Sequence, residues 1–190
     1  MSYDELVTHL LNKYGPAKYD YFRTESCRSR NPKVSRSDEG LTCHHIDEDK
    51  AIMLNDPQYA VFNPFEYQKA DRLVYCNVLE HLLLHMKIVL EPKHPDANWF
   101  ERQGMGGFFN ICNGINTYYG GYEYKREYEK KKYEIIADNF KHYLAILVYF
   151  KLMIATYYPQ YKDEVREETL SQDFKGNIVP RVYDELSPRS

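Results

Sequence analysis

Apolar residues recur at helical spacing near the start of the chain. Ser2 and Glu5 stand in the spacing of a capping box, in which each side chain satisfies a backbone amide of the first helical turn. Gly15-Pro16 would end the helix, and its apolar side would consist of Leu6, Val7, Leu10 and Leu11. The pattern predicts a short amphipathic helix.

Two short stretches further along have the β-branched and aromatic content of strands. The first is LTCHHI, residues 41–46, and the second is RLVYC, residues 72–76. The residues between them, 47–71, contain turn-forming Asn-Asp-Pro and Asn-Pro and have the character of a loop. We therefore expect two short strands joined by a long connection.

A helix is predicted directly after the second strand. Asn77 is a suitable N-cap, and Glu80 stands three residues later in the position of the reciprocal capping carboxylate. Apolar residues at helical spacing continue to about Leu90, and Pro92 follows. The centre of the chain thus has the order strand, long loop, strand, helix.

The second half of the chain is less regular in pattern. Residues 104–124 are rich in Gly, Asn and aromatic residues, which is typical of a loop, a hairpin or a bent strand. Residues 127–158 form the longest helical candidate, with apolar residues dense enough to imply burial on more than one side. This helix is most simply the scaffold of the core, and its apolar character also permits a homodimer interface.

These elements predict an α+β protein that is mostly helical. Residues 1–39 would supply the first helix and a basic loop, residues 40–91 the strand–strand–helix unit, and residues 92–190 the aromatic, Gly-rich segment and the C-terminal helices. A chain of 190 residues can bury one sizeable core but is short for two full domains. We expect the three segments to form one compact unit.

Charge restricts the range of partners. The net charge is −3 and the pI about 6.2, so nothing global marks a binder of polyanions, and any such binding must be local. Residues 23–36 and 125–132 are both basic. The first stretch is the candidate for contacts with a phosphate backbone, through Arg28, Arg30, Lys33 and Arg36.

The cysteines and the N-terminus bear on the compartment. The four cysteines form no CxxC pair, so neither a zinc knuckle nor a thioredoxin-like motif is present, and reduced thiols are expected. The N-terminus lacks a basic segment followed by an apolar one, and no apolar run approaches 18 residues. We expect a soluble, cytoplasmic protein with no membrane partner.

Four histidines provide the candidate chemistry. His81 and His85 lie one turn apart on the same side of the predicted helix, roughly 6 Å along its axis, so both imidazoles can reach one metal ion. His44 and His45 are adjacent on a strand and point to opposite sides. The hypothesis is that His44, His81 and His85 hold one divalent ion and that His45 deprotonates a water.

GLTCHHIDED followed by RLVYCNVLEHLLLH resembles the ββα-metal motif of the HNH endonucleases, most closely the members with an EHxxxH helix, such as phage-type and colicin-type nucleases. The resemblance covers about residues 40–90. It implies an HNH-like centre in which His44, His81 and His85 are metal ligands and His45 is the general base. The implied activity is metal-dependent hydrolysis of DNA, as in a restriction, phage or bacterial defence enzyme. Zinc suits three histidines, and Mg, Mn or Ni could support activity.

The chain departs from the family motif at one position. The middle Asn of the family, which orients the base histidine, falls here on Arg72. Asn77 is too close to His81 for that role and is assigned to helix capping. Asp71, Asn63 or Asn55 could substitute, and the sequence does not choose among them.

Other residues near the motif have two interpretations each. Arg72 and Lys87 could contact phosphate or lie on the surface. The acidic residues 47–49 could fix the orientation of an imidazole or form a solvated turn. Cys43 and Cys76 flank the site, and either could contact the metal. Tyrosines in the Gly-rich segment could stack on bases, although packing is the preferred interpretation: Tyr118, Tyr119, Tyr122 and Tyr124.

Two alternatives to the endonuclease remain open. A zinc ion could merely stabilise a non-catalytic module that binds nucleic acid or a protein. The same chemistry could also act on a nucleotide or another small phosphoester. Substitution of His45 distinguishes the first alternative from the nuclease, because only the nuclease needs a base.

Overall fold

The computed structural model describes residues 1–92 and 103–187 and shows a helix-rich α+β protein with one two-stranded sheet. Its strands are β1 (Thr42–His45) and β2 (Leu73–Cys76). Its helices are α1 (Tyr3–Tyr14), α2 (Pro57–Ala60), α3 (Val78–Leu90), α4 (Met105–Tyr119), α5 (Glu127–Glu134), α6 (Phe140–Tyr157), α7 (Glu167–Leu170) and α8 (Pro180–Leu186). Among the helices of these ranges, none combines the length and apolar character needed to cross a membrane.

The two predicted capping boxes are present. The Ser2 hydroxyl accepts a hydrogen bond from the Glu5 amide, and the Glu5 carboxylate accepts one from the Ser2 amide. At the start of α3, the Asn77 side chain accepts from the Glu80 amide while the Glu80 carboxylate accepts from the Asn77 amide. The predicted starts of α1 and α3 are therefore confirmed, and so is the order strand, strand, helix.

β1 and β2 pair antiparallel, with Thr42 opposite Cys76 and His45 opposite Leu73. All four residues of β2 are buried because both faces of the strand are covered. Val74 and Cys76 pack against α1 and α3, and Leu73 and Tyr75 pack against the segment before β1. The sheet is thus held between α1 and the irregular N-terminal loop, with α3 continuing from its second strand.

The prediction of a loop, hairpin or bent strand over residues 104–124 is wrong, because most of this segment forms α4. Gly104 precedes the helix in the left-handed conformation, at φ 83°. Asn116 is fully buried, where its amide donates to the Leu170 and Gln172 carbonyls and its oxygen accepts from Tyr143. The apolar side of α4 packs on α3 and the C-terminal helices through Met105, Phe108, Ile111, Cys112, Ile115 and Tyr119.

The single helix predicted over residues 127–158 is also wrong. The chain turns between α5 and α6, where the Asn139 side chain donates to the Ile135 carbonyl and Asn139 itself precedes α6. Such a side-chain bond to a nearby backbone group competes with helix continuation. α6 is buried on one side only, since Val148 and Leu152 are 50% and 60% exposed.

Candidate metal centre

Three histidines converge where β1 meets α3. One ligand atom from each of His44, His81 and His85 lies within 4.8 Å of the others, and we call this group the histidine centre. The two Nε2 atoms of His81 and His85 are 3.2 Å apart. Two nitrogen ligands of a tetrahedral zinc ion stand about 3.3 Å apart, given Zn–N distances of about 2.0–2.1 Å. The histidine centre could therefore hold a metal ion.

Glu48, one of the acidic residues 47–49 considered as partners of an imidazole, lies beside the histidine centre. It follows β1 in a short 3₁₀ turn, Ile46–Asp49. One carboxylate oxygen, Oε2, is 3.3 Å from His85 Nε2 and 3.5 Å from His44 Nδ1. The side chain is only 14% exposed, so Glu48 is placed to add an oxygen ligand to the three imidazoles.

The charges of these groups favour a bound cation. Burial lowers the pKa of each imidazole of the histidine centre, so all three are neutral at neutral pH. Burial raises the pKa of Glu48, while interactions with protonated His44 and His85 and a hydrogen bond with His45 lower it, to about 2 on balance. A carboxylate enclosed by neutral rings is costly unless a cation compensates it. A divalent ion would supply that compensation.

Hydrogen bonding fixes the His44 ring in the tautomer that metal binding needs. The Tyr3 hydroxyl donates to the Ile46 carbonyl at 2.8 Å, and its oxygen is 3.0 Å from His44 Nε2. Burial raises the Tyr3 pKa, so the hydroxyl keeps its proton and accepts one from His44 Nε2. His44 Nδ1 is then unprotonated and is left, without a hydrogen-bond partner among the described residues, for a metal ion.

His45 is fixed in the same way by Gln68. The Gln68 amide donates to the Leu54 carbonyl, so its Oε1, 2.9 Å from His45 Nε2, accepts the proton of that nitrogen. The other ring nitrogen of His45, Nδ1, lies 3.7 Å from Glu48 Oε1. The ring is fully buried and packs on Tyr21, with 4.4 Å between ring centroids.

The resemblance implies an Asn that orients His45, and in the structure the residue that hydrogen-bonds to His45 is Gln68. The substitutes considered were Asp71, Asn63 and Asn55, and of these Asn63 donates instead to the Tyr59 carbonyl. Gln68 is contributed by a 3₁₀ turn, Phe65–Gln68, in the long connection between the strands. Only the folded path of that connection brings it to His45, and for this reason the sequence motif did not reveal it.

The acidic turn after β1 is not solvated, contrary to one of its two interpretations. Asp47 and Asp49 are 1% and 7% exposed. Both Asp47 oxygens accept from the Arg72 guanidinium, at 2.5 and 2.7 Å, and Lys50 donates to one of them. Arg72, which was a candidate for phosphate contact, therefore faces Asp47 and ties the start of β2 to the turn that carries Glu48.

The His85 ring packs closely against Gly107 in the first turn of α4. A Cβ atom placed on Gly107 would lie 2.1 Å from His85 Cε1 and 2.3 Å from His85 Nδ1. Gly106, one residue earlier, has nothing within 4 Å of such a Cβ. The Gly-rich composition led the sequence analysis to predict a loop or hairpin instead of α4. Its structural role at Gly107 is to leave room for the imidazole, because any larger residue would fill that space.

The proposed nucleic-acid contacts of the basic loop have differing environments. Arg28 is exposed, whereas Arg36 donates to Glu39 and to the Tyr14 carbonyl. Arg30 lies over the Tyr21 ring at 4.7 Å, and that ring is the one that packs on His45. The fourth residue of the loop, Lys33, lies over the Tyr19 ring. Lys87 of α3, which was also a candidate for phosphate contact, pairs with Glu91 at 3.3 Å.

The second basic stretch, residues 125–132, contributes a lysine that the sequence did not single out. Lys132 of α5 is partly buried, and burial lowers its pKa. Its charge also contributes to the lowered pKa of His81, which places it near the histidine centre. α5 lies beside the start of β1, since a Cβ on Gly40 would be 2.8 Å from the Lys131 carbonyl oxygen.

The cysteines next to the histidines are not members of the metal-binding group. Burial raises the pKa of Cys43 to about 12 and that of Cys76 well above its ordinary value, so both thiols stay protonated. Thiolates, not thiols, bind metal ions. The Cys76 thiol instead donates to the Thr42 carbonyl across the sheet.

Comparison with known proteins gives no match: no protein-family model, curated protein or solved structure matches the chain. The fold and the site therefore define the class of this protein by themselves. It is a helix-rich α+β protein in which a buried group of three histidines could hold a metal ion.

Proposed function

We propose that this protein is a metal-dependent endonuclease of the HNH type that hydrolyses phosphodiester bonds of DNA. The observation that carries the proposal is the position of His45, whose Nδ1 lies 3.7 Å from the same Glu48 carboxylate that borders the histidine centre. A base and a metal site thus share one carboxylate. The order β1, β2, α3 and its four histidines also support the resemblance to the HNH family.

Each residue of the site has a distinct task in this proposal. His44, His81 and His85 hold one divalent ion, for which zinc is the best match to three imidazole ligands. A bound ion supplies polarisation of a phosphate oxygen and stabilisation of the leaving 3′-oxygen. His45 takes the proton of the attacking water at Nδ1, and Gln68 keeps Nε2 protonated so that Nδ1 stays available.

The direction of substrate approach follows from exposure. His44 and His45 are 1% and 0% exposed, whereas His81 is only partly buried. The scissile phosphate would therefore reach the centre from the side of His81. Lys132 stands on that side, where a cation would attract the phosphate and stabilise its developing charge.

The experiment is cleavage of supercoiled plasmid and single-stranded DNA by wild-type protein, His45→Ala and the control His9→Ala. His9 is an exposed histidine of α1. Each protein is assayed with Zn, Mn, Mg or Ni, and its bound metal is quantified in parallel. We expect wild type and His9→Ala to nick DNA and His45→Ala to bind metal without nicking.

A specific observation favours a second candidate, a non-catalytic module stabilised by zinc. Glu48 is close enough to the histidine centre to fill a fourth coordination position, and structural zinc sites are closed in this way. His45 is also fully buried. In that case wild type, His45→Ala and His9→Ala would all bind metal, none would cleave DNA, and removal of the ion would unfold the protein.

A further inference from the structure

A second concave site is lined in part by α5, the helix that also carries Lys132. It is a cleft of about 630 Å³ between the end of α4, the following loop and α5. Binding sites for small molecules usually have volumes of about 300–1,000 Å³. Four tyrosines line the cleft together with two lysines, and we call it the tyrosine cleft: Tyr118, Tyr122, Tyr124, Tyr133, Lys125 and Lys130.

The tyrosine rings form an ordered layer. Tyr124 and Tyr133 are stacked, with centroids 4.5 Å apart and planes 13° from parallel, and Tyr118 is also nearly parallel to Tyr133. The Tyr124 hydroxyl donates to the Gly114 carbonyl, which fixes that ring. Tyr122 meets Tyr124 edge-on and is 52% exposed. A layer of buried and partly buried rings thus ends in one exposed ring that a ligand can reach.

The charged groups of the cleft narrow the chemistry of that ligand. Lys125 and Lys130 would attract an anionic group, while Glu123 and Glu134, which also line the cleft, can accept hydrogen bonds from amino groups. Tyrosine rings favour a planar aromatic group by stacking. A nucleotide combines all three features: a planar aromatic ring, amino or imino groups that donate hydrogen bonds, and an anionic phosphate.

We propose that the tyrosine cleft binds an unpaired nucleotide of a single-stranded DNA segment. The choice of DNA rests on the proposed function, since the segment would belong to the strand that the histidine centre cleaves. The placement supports this, because Tyr133 of the cleft directly follows Lys132, whose charge reaches His81. A base in a duplex has both faces covered by its neighbours, so only an unpaired base can stack here.

The test measures binding separately from cleavage. A fluorescein-labelled 12-nucleotide single strand is titrated, by anisotropy, with metal-bound His45→Ala protein and with the same protein carrying a second substitution in the cleft. Tyr122→Ala should weaken binding roughly tenfold, the effect of losing one stacked base. Tyr122→Phe keeps the ring and should bind within about twofold of the parent.

Tyr128→Ala is the matched control. Tyr128 is a 45% exposed tyrosine of α5 that accepts a hydrogen bond from Arg126 and does not line the cleft. Its removal should leave binding unchanged. Lys130→Ala should reduce the salt dependence of binding by about 0.7 in the log–log slope, the effect of one phosphate contact on a single strand.

The following results would contradict the proposal. Equal binding by the parent and Tyr122→Ala would exclude stacking in the cleft, and a duplex that binds as tightly as the single strand would exclude the unpaired base. Tighter binding of an RNA strand of the same sequence would contradict the choice of DNA. Cleavage is assayed separately, so the two proposals can fail independently. Wild-type protein that binds through Tyr122 but never cuts DNA would refute the nuclease and retain the binding site in the cleft. Protein that cuts DNA but binds equally well without the Tyr122 ring would refute the binding site and retain the nuclease.

Discussion

Two histidines of the site depend on neighbours that are not themselves reactive. Tyr3 accepts the Nε2 proton of His44, and Gln68 accepts that of His45. In the neutral His44 ring, Nδ1 is thereby left with the lone pair that a bound metal ion would need, while Gln68 fixes the orientation of the His45 ring. The two acceptors come from different elements, so their effects can be separated by substitution.

Gln68→Leu and Tyr3→Phe should produce opposite defects. Gln68→Leu removes the acceptor of His45, so we expect turnover on DNA to fall about 10- to 100-fold with metal affinity preserved. Tyr3→Phe removes the acceptor of His44, so metal affinity should fall about 10- to 100-fold. Metal titration and cleavage kinetics check both. Loss of metal in Gln68→Leu with turnover intact would contradict these roles.

At the residue scale, the sequence predicted the three histidines that converge but not all of their surroundings. His44, His81 and His85 follow from strand alternation and helical spacing, which are local rules. Glu48 and Gln68 acquire their positions from the turns of residues 46–72, where no periodic pattern fixes the path. The contact of Gln68 with His45 therefore could not be predicted from spacing, whereas Glu48 belongs to the acidic residues 47–49 that the sequence already indicated as partners of an imidazole.

At the scale of elements, the packing of α4 on α3 determines where His85 stands. The ring fills the space that Gly107 leaves, and a Cβ atom placed on Gly104 would lie 2.9 Å from the His85 carbonyl oxygen. A helix with larger residues at these positions could not lie so near to α3. The distance between the two helices is thus coupled to the geometry of the histidine centre.

Gly107→Ala should therefore impair the centre while Gly106→Ala does not. The added methyl at Gly107 would meet the His85 ring at 2.1 Å and must displace it, so we expect metal affinity to fall by about tenfold or more. Gly106→Ala adds a methyl into open space and should raise the free energy of unfolding by about 0.5–1 kcal/mol. Metal titration and urea unfolding test the pair, and equal metal affinity in both variants would contradict this packing.

The two mispredicted helical regions have a common cause. In α4, the glycines and Asn116 weaken helix propensity, but tertiary contacts of Asn116 and the close approach to His85 require them. In residues 127–158, the apolar pattern continues past the point where Asn139 bonds to Ile135 and the chain turns. Propensity and periodicity describe a helix in isolation, whereas these elements are decided by their neighbours.

At the scale of the whole molecule, the buried imidazoles make stability depend on pH. Burial lowers the pKa of His44, His81 and His85 in the folded state, while the unfolded chain has ordinary histidines of pKa about 6.5. Below pH about 6.5 the unfolded state therefore binds more protons than the folded state. The stability of the metal-free protein is full above that pH and is lost as the pH falls.

Urea unfolding of metal-free protein between pH 7.5 and 5.5 measures this loss. Each imidazole can contribute up to about 1.4 kcal/mol per pH unit below its unfolded pKa, so we expect the free energy of unfolding to fall steadily with pH. The Asp47 pKa is lowered from an already acidic value, so that carboxyl does not titrate in this range. His81→Gln should flatten the dependence and His9→Gln should not. Stability that is constant or rises toward pH 5.5 would contradict neutral, buried imidazoles.

The measurement that tests the account most directly is the metal content of purified wild-type protein and His81→Ala after equilibration with a small excess of zinc. His81 is the most exposed member of the histidine centre, so its loss should disturb folding least. The account predicts one tightly held equivalent of zinc in wild type and a large loss in the variant. Wild-type protein that retains no zinc, or a variant that retains as much as wild type, would contradict a metal centre at His44, His81 and His85.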